Sequence, residues 1–137
     1  MTQQGPKNLR VYGVLLRGCR VLIAAEEVGG RDVLKLPGGA VEADETPEQA
    51  LKREFMEEGS LSIEPTRLLH APGTLYSHWV HGLYSPMYYA VEGSGDPVTP
   101  ADEPVELLFM RPEEAVASGR MARPEIVALD RALAAAR

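Results

Sequence analysis

Apolar and polar positions alternate through "NLRVYGVLLR", residues 8–17, and again through "VLIAAEE", residues 21–27, with the polar "RGCR" between them. A period of two in β-branched and aromatic residues predicts two strands joined as a hairpin. "EVGGRD" reads as a second turn, and "VLKL" as a short strand that stops at the glycine loop "PGG". Beyond residue 45 the period lengthens to that of a helix. Thr46 stands as N-cap, Pro47 at the first helical position and Gln49 three residues after the cap, a capping-box pattern, with Gly59 as the stop. "LSIEPTRLLHAPG", "LYSPMYYAVEG" and "VELLFM" follow as strands, Pro86 marking an edge or a bulge in the second. Pro112 opens the short helix "PEEAVASG", and Pro124 opens "PEIVALDRALAAAR", whose Ile126, Leu129 and Leu133 recur at helical spacing. Strands and helices interleave irregularly. That order predicts an α/β fold with a mixed sheet between helices, not a doubly wound parallel one.

A chain of 137 residues, 45% hydrophobic and 25% charged, suffices for one core. We expect a single domain over residues 1–137, with residues 1–8 flexible. Cys19 is the only cysteine and has no CxxC or CxxH neighbour, so it suggests neither a disulfide nor a zinc site. No apolar run approaches the roughly 18 residues of a membrane span, and "MTQQGPKN" has no apolar signal core. The expectation is a cytoplasmic protein with no membrane partner. A net charge of -6 disfavours a duplex nucleic-acid partner, because that affinity depends on Lys and Arg neutralising phosphates. It leaves small anionic substrates open.

The densest chemistry lies in "REFMEEGSL", residues 53–61, where Glu54, Glu57 and Glu58 crowd one helix turn. Like charges at i,i+4 cost about 0.2–0.5 kcal/mol even on an exposed helix. Helical phase places Ala50, Leu51 and Phe55 on one side, Glu54 and Glu58 among them, and Glu57 at the edge next to Arg53. Carboxylates on a packing face must be paired or bind a metal. Arg53 is the only cation close in sequence, so a bound divalent ion is the economical reading.

The wider stretch "PGGAVEADETPEQALKREFMEEGSL", residues 37–61, resembles the Nudix box, the signature of the Nudix hydrolases: Gly-x5-Glu-x7-Arg-Glu-U-x-Glu-Glu-x-Gly-U, with U bulky and apolar. Gly39, Glu45, Arg53, Glu54, Phe55, Glu57, Glu58 and Leu61 fall on its positions, and Ser60 stands where the family has glycine. Gly59 just before Ser60 suggests that the left-handed helix stop occurs one position early. The resemblance implies an α/β/α sandwich around a mixed sheet. It also implies magnesium-dependent hydrolysis of a nucleoside diphosphate linked to another group, with manganese as an alternative ion.

Hard divalent ions prefer carboxylate and carbonyl oxygen. On that ground Glu54, Glu57, Glu58 and the Gly39 carbonyl are the expected metal ligands, with Arg53 and Glu45 supporting them. Glu42 is expected as an exposed loop acid. For the general base, the Glu-rich stretch "ADEPVELLFMRPEE" is similar to one in many family members and nominates Glu103, then Glu106, with Glu58 competing. In "GTLYSHWVHGLYSPMYY", Trp79 and Tyr76 are the candidates for stacking on a base. Trp79 is expected on the opposite strand face from His78. The expected partner is a small nucleotide, and a homodimer is left open. The rival reading is a catalytically weak module of the same fold that binds a nucleotide or sugar nucleotide without turnover.

Overall fold

The computed structural model describes residues 7–136; the expected flexibility of residues 1–8 therefore falls largely on residues 1–6, outside the described residues. β1 (Leu9–Arg17) and β2 (Arg20–Val28) form the expected hairpin. Their register holds only at Leu16↔Val21 and Arg17↔Arg20, next to the turn, and then the strands part. β2 continues with β3 (Arg31–Lys35) on one side and β8 (Glu106–Met110) on the other, both antiparallel. β1 instead pairs antiparallel with β4 (Gly38–Ala40) and parallel with β7 (Gly82–Glu92), from Leu9↔Ser85 to Leu15↔Val91. β5 (Glu64–His70) and β6 (Leu75–Ser77) add antiparallel to the outer side of β7. One parallel pairing among antiparallel ones makes the sheet mixed, as expected. The parting of β1 and β2 leaves space between two branches of the sheet, and that space holds the site.

Both faces of the central strands are covered, so alternation in β1 and β2 sorts residues between two cores rather than between core and solvent. Val11, Leu15, Leu22 and Ala24 pack with Ala50, Leu51 and Phe55 of α1 (Pro47–Gly59). Tyr12, Val14, Val21 and Ile23 pack the other way, with Ala115 of α2 (Pro112–Ala117) and Ala128, Leu129 and Ala132 of α3 (Arg123–Ala135). These layers are the α/β/α sandwich. In α3 the fully buried stripe is Glu125, Ala128, Leu129 and Ala132, while Ile126 and Leu133 pack at its margin. Small alanines let the helix approach the sheet closely.

The capping box of α1 forms as its sequence requires. Thr46 Oγ1 accepts from the Gln49 amide at 3.1 Å, and Gln49 Oε1 accepts from the Thr46 amide at 2.9 Å. The far end differs from expectation. Gly59 is still helical, and Ser60 is the left-handed residue, at φ 54 and ψ 32. The Ser60 amide donates to the Met56 carbonyl at 3.0 Å, the five-to-one bond of a left-handed stop, and the Leu61 amide reaches back to the Phe55 carbonyl at 3.3 Å. Gly59 is required by packing instead, since a Cβ there would collide with Leu107 of β8.

"PGG" also departs from the loop expected of it, because Gly38–Ala40 is a strand in register with Tyr12, Val11 and Arg10. Pro86 pairs with Arg10 on one side. On the other it lies between the partners of β6, which end at Tyr84, and those of β5, which begin at Tyr88. The missing amide thus falls at a gap in the ladder, and the register shifts lie in β5.

Candidate functional site

Helical phase sets three different environments for the three glutamates of α1. Glu58, 5% exposed, points into the packing layer, and its Oε2 has no hydrogen-bond partner. Glu54 is half-buried and Glu57 exposed, in line with the edge position expected for Glu57. Burial, together with a hydrogen bond to Glu54 and its charge, pushes the Glu58 carboxyl up to about 9, against the pull of Lys35 and the Gly38 amide. Like charge on the packing side is thus relieved by a shared proton at Glu58.

Arg53 arranges the rest. Its Nη2 and Nε donate to the two oxygens of Glu45 at 2.7 and 3.2 Å, a bidentate pair. Nη1 donates to Glu54 at 3.0 Å and to Glu57 at 3.2 Å, and Nη2 also reaches the Ala40 carbonyl at 3.0 Å. One guanidinium therefore ties the loop after β4 to two of the α1 acids. Glu45 accepts from the Glu42 amide as well, and the Arg53 and Glu42 bonds hold its carboxyl below the usual range. Glu42 is exposed, 3.9 Å from Arg53.

Gly39 lies against Glu54. A Cβ on it would stand 2.6 Å from the Glu54 carboxyl carbon, so only glycine allows β4 and α1 to close around that acid. Glu54, Glu58 and Gly39 line a cavity of about 210 Å³ together with Glu103, from the loop before β8. Glu57 does not line it, being drawn outward by Arg53, and Glu106 is exposed on β8. Among the described residues, no three His, Cys, Asp or Glu side chains stand together as a ready metal cage. The donor set still suits a hard ion: two carboxylates meet at a glycine strand, one with an unpartnered buried oxygen.

The sequence reading missed the cations. Arg10 at the start of β1 and Lys35 at the end of β3 line the same cavity, where the two branches of the sheet face each other. Arg10 Nε donates to the Tyr12 hydroxyl at 2.6 Å, and Lys35 Nζ contacts Glu26 at 2.6 Å. Burial is the largest single influence and acts to lower both cations, but Tyr12 and the nearby carboxylates together outweigh it, so both stay firmly protonated. Nothing local marks either position, since each is a charged residue near a strand end.

Arg10, Lys35 and Glu26 also line an adjoining cavity of about 280 Å³ walled by Trp79, Tyr84 and Tyr88. The two cavities share Arg10, Glu26 and Lys35 as lining, with the α1 acids on one side of that trio and the aromatic rings on the other. Trp79 reaches the aromatic cavity from the β6–β7 turn, not from a strand, so the expected strand-face alternation with His78 does not apply. Tyr76 sits elsewhere. It is 48% exposed, its hydroxyl lies 3.2 Å from His81 Nδ1, and it does not line the 280 Å³ cavity but a neighbouring hollow that shares Ser77, Trp79, Tyr84 and Ala122 with it. At the floor of the aromatic cavity is Glu125, 4% exposed, whose Oε1 accepts from the Leu36 amide at 2.7 Å. Its place four residues before Leu129 put an acid on the buried stripe of α3, a sign the sequence carried.

Comparison with known proteins matches the NUDIX domain across residues 7–131. A putative 8-oxo-dGTP diphosphatase 2 of Mycobacterium tuberculosis is 46% identical over 57 residues; that stretch spans 39% of each chain. Among solved structures, a NUDIX hydrolase from Nitrosomonas europaea superposes with a TM-score of 0.79 at 22% identity, covering 95% of this chain and 90% of the other. An ADP-ribose pyrophosphatase from Streptococcus suis gives 0.65 at 16% identity, covering 90% of each. At such identities the structural likeness speaks to the fold.

Proposed function

Because the chain belongs to the NUDIX family, we propose that it is a magnesium-dependent pyrophosphohydrolase acting on a phosphoanhydride bond of a nucleoside diphosphate joined to a further group. The observation that carries this reading is the pair of adjoining cavities, one lined by Glu54, Glu58 and Glu103, the other by Trp79, Tyr84 and Tyr88, with Arg10 and Lys35 lining both. That order of chemistry matches a nucleotide laid lengthwise: metal-binding acids, then a stretch for phosphate, then rings for a base.

Glu54, Glu57, Glu58 and the Gly39 carbonyl would hold the ion, the partnerless Glu58 Oε2 offering it a site already free of protein donors. When bound, magnesium or manganese supplies charge neutralisation at the diphosphate and acidifies water. The protein does the remainder. Arg10 and Lys35 bind non-bridging phosphate oxygens, Arg53 fixes the carboxylate directions of Glu54 and Glu57, and Glu45 fixes Arg53. Glu103, lining the same cavity from the loop before β8, takes the proton of the attacking water, with Glu58 as its competitor.

The test is a substrate panel of ADP-ribose, sugar nucleotides, dinucleoside polyphosphates and normal and oxidised nucleoside triphosphates, run with and without magnesium. We expect hydrolysis only with the metal, and a fall in kcat of at least a hundredfold in both Glu57→Gln and Glu58→Gln with the fold retained. Nucleotide binding without turnover on any panel member would favour the binding-module rival.

A further inference from the structure

The segment between β7 and β8, residues 93–105, brings Glu103 to the acidic cavity without a hydrophobic anchor of its own. From Glu92 to Pro104 no residue is buried; Val91 before that stretch and Val105 after it are the first that are. Burial of apolar surface, which positions most of the molecule, therefore cannot position this loop. Polar ties must. Within the segment the Glu103 amide donates to the Pro100 carbonyl at 3.1 Å, and Pro97, Pro100 and Pro104 restrict the backbone around it. Among the described residues, two hydrogen-bonded ties reach the loop from outside. The Val98 amide donates to the Gly59 carbonyl, at the end of α1, at 2.8 Å. Arg17, the last residue of β1, donates from Nη1 to the Gly95 carbonyl at 2.5 Å and from Nη2 to the Gly93 carbonyl at 2.8 Å.

Arg17 is well seated for that hold. Its guanidinium lies 4.8 Å over the Phe109 ring of β8, which fixes the plane in which the fork presents its N–H groups. Asp96 lies 3.7 Å from Nη1 but its side chain is 98% exposed, an ion pair that solvent screens, so the two carbonyl bonds carry the tie. Glycines let the backbone come to the fork: a Cβ at Gly93 would stand 2.7 Å from Ile63 Cγ2, and Gly95 takes a φ of +93°. One side chain thereby joins the end of β1, a ring of β8 and the start of the loop. We propose that Arg17 is a positioning residue for the hydrolysis: together with the Val98 tie to α1, it sets where Glu103 stands relative to the acids of that helix. The inference rests on the reading of Glu103 as general base and names what holds it in place.

Arg17→Met keeps the stem over Phe109 and removes the fork. Amide hydrogen exchange of the full chain is expected to run about tenfold faster or more at Val98 and Glu103 in the variant, with the amides of α1 unchanged. Kinetics with saturating magnesium, on the panel nucleotide that the unaltered protein cleaves fastest, separate positioning from general support. We expect Arg17→Met to lower kcat about tenfold or more with KM within about twofold, and to lower it less than about twofold when placed in Glu103→Gln, where no base is left to position. An equal loss in both backgrounds overturns the proposal and leaves Arg17 as a structural tie. Unchanged exchange or a normal kcat in Arg17→Met overturns it as well, and so does full activity of Glu103→Gln alone. Arg17→Lys keeps charge, stem and a single donor. It stands in for the methionine variant if that one does not fold, and its loss of kcat must likewise require Glu103. The hydrolase reading fails separately: with no turnover of any panel member that reading is lost, and exchange still decides whether Arg17 holds the loop.

Discussion

Ser60 holds a left-handed backbone that costs a non-glycine residue about 1–2 kcal/mol, and it does so at the end of the helix that carries the acids. Ser60→Gly should therefore raise stability by about 1 kcal/mol, read from denaturant midpoints, with kcat within a factor of two of the original. An unchanged midpoint would mean that the serine is at ease there. The neighbouring glycine answers to a different constraint. A valine at Gly59 meets Leu107 in the buried interior, and Gly59→Val should cost several kcal/mol through overpacking, visible as a large drop in melting temperature. Adjacent residues thus share one helix end but are held by backbone conformation in one case and side-chain space in the other.

Among the elements, the β6–β7 hairpin exposes several large apolar side chains. Tyr76, Val80 and Leu83 are each about half exposed or more, at 48%, 61% and 52%. Trp79 at its turn is half-buried, and its carbonyl lies against Gly29 in the β2–β3 turn, where a Cβ would come within 2.6 Å of that oxygen. Two turns from distant parts of the chain therefore close the aromatic cavity. If Trp79 stacks on the base, Trp79→Ala should raise KM about tenfold or more, equivalent to about 1.4 kcal/mol or more of lost binding, and leave the melting temperature nearly unchanged. A normal KM with a sharply lower melting temperature would assign the ring to structure alone. Tyr76→Ala, on the outer side of the same hairpin, should leave KM within twofold.

For the molecule as a whole, the buried acids make stability depend on pH and on metal. Burial pushes Glu125 up to about 7 from an ordinary 4.5, against the pull of the Leu36 amide and Lys35. Between those values the folded protein holds a proton that the unfolded chain has released, so this group's contribution falls as pH rises from about 4.5 to 7. The melting temperature should decline across that window and decline less in Glu125→Gln; identical slopes would remove Glu125 as the cause. Magnesium acts in the other direction. A ligand at a hundred times its Kd stabilises the folded state by about 2.7 kcal/mol, so saturating magnesium at pH 8 should raise the melting temperature. The rise should vanish in Glu58→Gln, and a rise of equal size in that variant would place the ion elsewhere.

Alternation in β1 and β2, the Thr46–Gln49 capping box and the phase of α1 are local properties, and the sequence alone determined them, along with the mixed sheet and the burial of Glu58. The pairing of Arg53 with Glu57 was legible for the same reason, since i,i+4 contact follows from helix geometry. Which residues face each other across the site was not. Arg10 and Lys35 are 25 positions apart (35 − 10) and meet only because β1 leaves β2 after two register pairs to join β4 and β7. That Gly59 faces Leu107 while Ser60 takes the left-handed backbone shows only in the folded structure. That Trp79 lines the aromatic cavity and Tyr76 does not follows from a turn at Trp79 where a strand was expected. Local patterns fix periodicity and caps because those forces act within a few residues; the site depends on contacts whose partners the chain brings together only on folding.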